Sequence, residues 1–282
     1  MKTRLFLAGL CAGIAFLGAC DDSDDDKPGD AVEKAFRQKY PQATRVDWEN
    51  HGKFREVDFV LNSNDYEAWY NDDAEWLQTE YEVSYTSIPA AVKELVKNDI
   101  NHPSSAWSPD PEVKLLERKN YPNWYGVELK NGNQEVTIWS DAEGFRSLTV
   151  TDDLDRNEAP QAIRTFIAQQ YPQGYYEEVD VLEDNSYVVN LLHGKEVKQV
   201  YFTSTPAWNY TEWPVPEEEL PAAVQNTLEG NAYAGYSVKS ATYQEYPNNL
   251  SYYHITLENT ESPTGPTLTA KIKADGSLVL AN

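Results

Sequence analysis

Methionine occurs once in the 282 residues, as the initiator, and cysteine only twice, at Cys11 and Cys20. Cys11 lies inside an apolar leader, so Cys20 is the one thiol beyond it, no internal disulfide can staple the fold, and stability has to come from packing. Basic residues are scarce too: 23 Lys and Arg stand against 46 Asp and Glu, a formal charge of −23. That balance repels phosphate backbones and anionic lipid and excludes an electrostatic nucleic-acid footprint. Histidine is limited to His51, His102, His193 and His254. None has a second His or Cys at metal-ligand spacing, so no metal is expected and the four are read as turn or surface residues. A G-x-S-x-G elbow, a phosphate-cradling glycine loop and a catalytic Cys/His pairing are all missing. Adjacent acids such as Asp152-Asp153 and Glu177-Glu178 abound, but on a strand they point to opposite faces. The expectation is a protein that is not an enzyme and binds no cofactor.

Aromatic residues are what the chain has in quantity, with 19 Tyr and 8 Trp, a composition that suits strands. They fall in a repeat. Trp76-Leu77-Gln78-Thr79-Glu80 and Ile88-Pro89-Ala90-Ala91-Val92 return as Trp208-Asn209-Tyr210-Thr211-Glu212 and Leu220-Pro221-Ala222-Ala223-Val224, each position displaced by 132. A self-match at constant displacement marks a duplicated structural unit. The chain is therefore divided into a leader at 1–19, an acidic tether at 20–29, a first unit at 30–153 and a second at 154–282. Removing Lys2 and Arg4 with the leader takes the charge from −23 to −25.

Within the first unit Asp30, with Glu33 three residues on, reads as the N-cap of a short helix carrying Val32, Ala35 and Phe36 on one face. It stops at Tyr40-Pro41, because proline disfavours helix in the residue before it. The second unit repeats this with Ile163, Phe166 and Ile167 ahead of Tyr171-Pro172. Alternating runs at Val57–Leu61, Tyr66–Tyr70 and Leu77–Val83 read as antiparallel strands with one covered face. Ile88-Pro89 and Leu220-Pro221 open further helices, and strands return at 113–118, 124–129, 135–139 and 145–150, less faithfully at 237–243, 252–257, 268–273 and 278–280. The polar stretch 151–158 reads as the boundary between units. Short helices set between runs of strands give an α+β class, with helices on one sheet face and the other face open.

The leader fits a signal peptide: Lys2 and Arg4 precede an apolar run from Leu5 to Leu17 that is too short for a permanent span. Leu17-Gly18-Ala19-Cys20 resembles a bacterial lipobox, which implies a lipid on the Cys20 sulfur and attachment to a membrane. The carboxylates Asp22, Asp24, Asp26, Asp30 and Glu33 have the spacing of an EF-hand loop, but Lys27 occupies the place of its glycine, so the segment reads as a solvated tether.

The succession Tyr40-Pro41-Gln42-Ala43, Val46-Asp47-Trp48, Tyr66-Glu67-Ala68-Trp69-Tyr70, Trp76-Leu77-Gln78-Thr79-Glu80 and Ile88-Pro89-Ala90-Ala91-Val92 resembles the PepSY-like, or β-lactamase-inhibitor-like, family of Bacteroidota lipoproteins. The likeness is close over 31–98 and looser over 159–227, where Val179-Asp180-Val181 lacks the tryptophan of the first copy. It implies helices on one face of an antiparallel sheet, and no catalytic residues. The acidic run after Cys20 resembles the signal that sends lipoproteins of this phylum to the outer-membrane surface, with the periplasmic leaflet as the alternative. Trp69, Tyr70, Trp76, Tyr81, Tyr85, Trp208 and Trp213 are the candidate partner-binding residues, rigid amphipathic rings suited to an exposed sheet face. A protein or peptide partner is expected first, with glycan capture or a structural envelope role as the alternatives.

Overall fold

The computed structural model describes residues 27–144, 147–263 and 265–279. The leader, Cys20, most of the acidic tether, Phe145 and Leu280 lie outside the described residues. The first half of the chain forms α1 (Asp30–Lys39), β1 (Thr44–His51), β2 (Phe54–Leu61), β3 (Asn64–Asn71), β4 (Trp76–Ser84), α2 (Ala90–Lys97), β5 (Ser108–Pro109), β6 (Glu112–Arg118), β7 (Trp124–Asn131), β8 (Gln134–Asp141) and β9 (Ser147–Asp155). The second half forms α3 (Gln161–Gln170), β10 (Glu178–Leu182), β11 (Tyr187–His193), β12 (Glu196–Phe202), β13 (Trp208–Pro214), α4 (Ala222–Leu228), β14 (Tyr236–Tyr246), β15 (Leu250–Asn259) and β16 (Leu268–Ile272). This is an α+β fold of two tandem units, each with short helices on one face of antiparallel sheet.

The helix stops fall where Tyr40-Pro41 and Tyr171-Pro172 place them, with Tyr40 and Tyr171 as C-caps. The start of α1 differs from expectation. Gly29 is its N-cap and no side chain caps it, so Asp30 and Glu33 act from inside the first turn, where their charge complements the helix dipole. Pro89, Pro160 and Pro221 stand as N-caps one residue ahead of their helices, with extended ψ values of 144°, 134° and 142°.

All strands join one antiparallel sheet ordered β1-β2-β3-β4-β6-β7-β8-β9-β10-β11-β12-β13-β14-β15-β16, with β5 against β7. The stretch expected as a boundary is half strand: β9 runs on to Asp155 and pairs with β10 through Leu154↔Val179 and Asp153↔Asp180. The two units thus share one sheet. The register carries the helix-packed residues across on a single face, from Val57, Ala68 and Thr79 to Val127 and Ile138, then through Val179, Val189 and Val200. Each helix seals its own cluster there: Phe36 with Phe59 and Tyr70, Val92 with Val113 and Val127, Ile163 with Val189 and Leu191, and Val224 with Ile255 and Ile272.

The opposite face is not open as expected. A twisted sheet of this many strands curls, and bulges within β3–β4 and between β9 and β10 bend it further. The strands β4 and β12 meet. Phe54, Trp69 and Leu77 of the first unit pack there against Leu192 and Val197 of the second in a fifth apolar cluster. Tyr121 Oη donates to the Val197 carbonyl at 2.9 Å, Asn71 Nδ2 to that of Gly194 at 3.2 Å, and Arg118 Nη1 to Asn190 Oδ1 at 3.0 Å. The helices ride the convex side of the curl and the concave side closes on a cleft.

Candidate functional site

The convex side repeats a small network. Tyr40 Oη lies 2.6 Å from Thr79 Oγ1, which also accepts from Trp76 Nε1 at 2.8 Å. In the second unit Tyr171 Oη donates to Thr211 Oγ1 at 3.0 Å, and Trp208 Nε1 donates to the same oxygen at 3.0 Å. Thr79 and Thr211 are buried, so each hydroxyl ties a tyrosine hydroxyl and an indole N–H together beneath a helix. Trp76 and Trp208 are therefore half-buried struts between helix and sheet, Trp76 with Lys39 Nζ 3.8 Å from its ring centroid.

The other candidate aromatics divide in the same way. Tyr70 is fully buried under α1. Tyr81, half-buried, stacks on Tyr66 at 4.5 Å and donates to Glu117 Oε1 at 3.0 Å, and Tyr85 packs on the α2 cluster. Trp213 meets Tyr243 edge-on at 4.9 Å and carries Lys198 Nζ over its ring. Lys198 is buried, and that burial pulls its amine down to about 8. Trp69 alone of the seven lines the cleft, 1% exposed, its Nε1 donating to Glu67 Oε1 at 2.6 Å. The expected exposed row of rings is absent from these positions: Tyr70, Trp76, Tyr85 and Trp208 pack on the helix-covered face, and Trp69 is buried where the opposite face folds onto itself.

What the structure gathers instead is carboxylates. The central cavity of the cleft, about 160 Å³, is lined from β3 round to β12. Glu67 and Glu80 pair across β3 and β4, and Asp153 and Asp180 across β9 and β10. Burial pushes Glu67 up to about 8, with Glu80 adding to the shift. Burial likewise lifts Asp180 to about 8, helped by Glu178 and Asp153, and Glu178 to about 7, helped by Asp153. Lys114 Nζ lies 3.6 Å from Glu80 Oε1, and that carboxylate holds the ammonium's pKa above its ordinary value. A relay crosses the cavity wall: Arg118 donates to Asn190, whose Nδ2 donates to Asp180 Oδ2 at 3.2 Å. Gly126 leaves room for Trp139 to lie against β7, since a Cβ there would meet the indole ring at 2.9 Å.

At one end of the cleft, Glu49, His51 and Glu56 come together, and Glu56, Asp58 and Glu67 form an adjoining group. His51 Nε2 is 2.8 Å from Glu56 Oε2, and its ring lies between Trp69 and Tyr175, with centroids 5.0 and 4.4 Å away. Burial lowers the His51 pKa, and burial raises Glu56 to about 8 with Glu67 and Asp58 adding. His51 is therefore not a plain turn residue, and His102, 6% exposed against Trp107, is not at the surface. Glu67, Glu80, Lys114, Arg118, Asp180, Asn190 and Gln199 went unread as site residues in the sequence. Their signal was the polar half of each strand's alternation, opposite the helix-facing half.

A family model described as "Putative beta-lactamase-inhibitor-like, PepSY-like" matches residues 53–146, 137–198 and 185–278, the middle match crossing the seam between the units. Among solved structures, a DUF2874 family protein from Bacteroides uniformis is 21% identical and aligns over 44% of this chain and 91% of its own, with a TM-score of 0.39. A BLIP-like protein from Bacteroides fragilis is 27% identical over 48% of this chain and 94% of its own, also at 0.39. None of the curated proteins matches.

Proposed function

The chain belongs to the β-lactamase-inhibitor-like, PepSY-like family, and from that premise we propose that it is a non-catalytic, lipid-anchored envelope protein whose concave sheet face binds a protein or peptide partner. The observation that carries this reading is the cleft itself. A single sheet curls so that side chains from both units, Glu67 and Trp69 on one side and Asp180 and Asn190 on the other, line one cavity while the helices cover the reverse. Crowded, desolvated carboxylates are poorly solvated when the cleft is empty, and a complementary partner relieves them. An inhibitor-like grip on an envelope enzyme is one form of such binding.

Photo-crosslinking residues placed at Asp153 and Glu177 on the cleft rim, compared with Lys93 and Gln169 on the convex helices, test the reading in intact cells. A defined cross-linked species from the rim positions alone is expected. Equal labelling from both sides, or none, overturns it. Attachment is tested separately: Cys20→Ser is expected to move the protein from the membrane fraction to the soluble one, and protease shaving of whole cells separates an outward-facing from a periplasmic anchor. Capture of a glycan is the second reading, favoured by a different set of rings from those first singled out. Tyr201, Tyr210 and Tyr246 stack at 4.4 and 5.5 Å on the concave face and remain half-exposed, a platform of the sort sugars stack on.

A further inference from the structure

We infer that the central cavity receives an arginine side chain presented by the partner polypeptide, an assignment that rests on the binding reading above. Size comes first. At about 160 Å³ the cavity is well below the roughly 300–1,000 Å³ of small-molecule and cofactor sites, and it suits a single long side chain.

Charge comes next. Six carboxylates line it, namely Glu67, Glu80, Asp153, Glu177, Glu178 and Asp180, against two cations, Lys114 and Arg118. Burial keeps Glu67, Glu177 and Asp180 protonated at neutral pH in the empty cleft, and a guanidinium arriving beside them releases those protons and leaves acceptors. Lys114 lies against Glu80 and Arg118 donates to Asn190. Gln199, 2% exposed and lining the same cavity, has no hydrogen-bond partner for its Oε1. A buried acceptor left without a donor costs free energy until one arrives, and a guanidinium brings five donors in a planar fork. The walls include Trp69, Trp124 and Trp139, surfaces on which a guanidinium stacks.

The geometry favours this cation over a metal ion. Among the described residues, the groups whose oxygens and nitrogens converge closely enough for one ion are Glu49-His51-Glu56 and Glu56-Asp58-Glu67. Only Glu67 of these lines the cavity. The remaining cavity carboxylates are spread around a wall, which fits a planar, many-donor group better than a point charge. A free arginine would set its own carboxylate against the rim acids Glu177 and Glu178, whereas a residue within a polypeptide carries none there.

The test is a calorimetric and tryptophan-fluorescence titration of the full chain, in detergent, with a capped Gly-Ser-Arg-Ser-Gly peptide and its citrulline analogue, which has the same shape without the charge. The arginine peptide is expected to bind and to perturb the indole emission, and the citrulline peptide to bind about tenfold more weakly or worse. Asp180→Asn with Glu178→Gln is expected to weaken the arginine peptide to a similar degree while leaving the far-ultraviolet circular dichroism and the urea midpoint no lower than in the parent. Equal binding of the two peptides, an unchanged affinity in that variant, or displacement of the peptide by calcium or magnesium alone overturns the inference. If the rim positions still cross-link a partner and the arginine peptide does not bind, this inference falls and the binding reading stands. If the rim cross-links vanish, both fall.

Discussion

Set the two copies of the repeat against one another at the displacement of 132 and the sheet's two faces behave differently. On the convex face Val57, Phe59, Ala68, Tyr70, Trp76 and Thr79 correspond to Val189, Leu191, Val200, Phe202, Trp208 and Thr211, so every apolar position stays apolar and the shared hydroxyl is kept. On the concave face Glu56, Glu67 and Trp69 correspond to Val188, Gln199 and Tyr201. The helix-covered side is a scaffold made twice. The cleft side differs between copies: at these positions the first copy presents two acids and an indole where the second presents a valine, an amide and a phenol, while the second unit brings acids of its own, Glu177, Glu178 and Asp180, to the cavity from elsewhere.

The largest expected effects come from the scaffold. Phe36→Ala, which empties a fully buried ring site under α1, and Ile167→Ala at the corresponding place under α3 are each expected to cost about 3–5 kcal/mol in urea unfolding. Because one sheet joins the halves, both variants are expected to unfold in a single transition that coincides by fluorescence and circular dichroism. Two separated transitions would break the idea that the copies share a structural fate.

Next come Thr79→Val and Thr211→Val. Each removes the hydroxyl shared by a tyrosine and an indole N–H, so a loss of about 2 kcal/mol is expected in either copy. Similar losses in both copies sharpen the claim of a repeated scaffold. A loss confined to one removes it.

A third test exchanges the cleft walls and reads pH. Glu56, Glu67, Glu177 and Asp180 each titrate near 8 in the fold, against 4.5 or 3.8 for the free side chain. Between those limits the folded protein holds protons that the unfolded chain has released. The stability these four groups contribute is therefore fully present below about pH 4 and is lost as pH rises through 8. Urea midpoints are expected to fall from pH 5 to pH 8.5. Glu56→Val, which installs the second copy's residue, is expected to stabilise by about 1 kcal/mol at pH 8.5 and to flatten that slope. Val188→Glu is expected to steepen it. A midpoint that rises with pH would contradict the electrostatic account of the cleft.

The smallest effect separates the copies on their shared face. Lys39 sits over Trp76, while the second copy has Gln170 at the matching place. Lys39→Ala is expected to cost about 0.5–1 kcal/mol and Gln170→Ala within measurement error of nothing.

Local signals carried the scaffold. Tyr40-Pro41 and Tyr171-Pro172 stop their helices by proline sterics, the alternation at Val57–Leu61 and Leu77–Val83 reads as strand, and the repeat states its own length. β1 was harder to read, since Val46-Asp47-Trp48 sits in a strand whose start is interrupted by a bulge. Asp30 looked like a cap because its type and spacing were right, yet Gly29 took the place. The cleft was illegible for a different reason. Which polar residues meet depends on how far the sheet curls, and that is set by the sum of many small twists and by bulges with no fixed sequence signature. Trp69 and Trp76 are both tryptophans in alternating strands, and only the packing of Phe54 and Leu77 against Leu192 and Val197 tells which of them faces inward.

The order of the sheet has a kinetic consequence. Along the path each strand pairs with the one before it in the chain, apart from the short detour of β5, so most of the ladder closes small loops and little of it waits for distant partners. Such local topology favours fast folding despite the all-antiparallel sheet. A chain emerging from its N-terminus can add each strand to an edge already formed, with the meeting of β4 and β12 left as a later, long-range step. Fluorescence of Trp69, which packs at that closure, is the natural clock for it: a phase slower than the gain of sheet signal is what sequential zipping followed by curling requires.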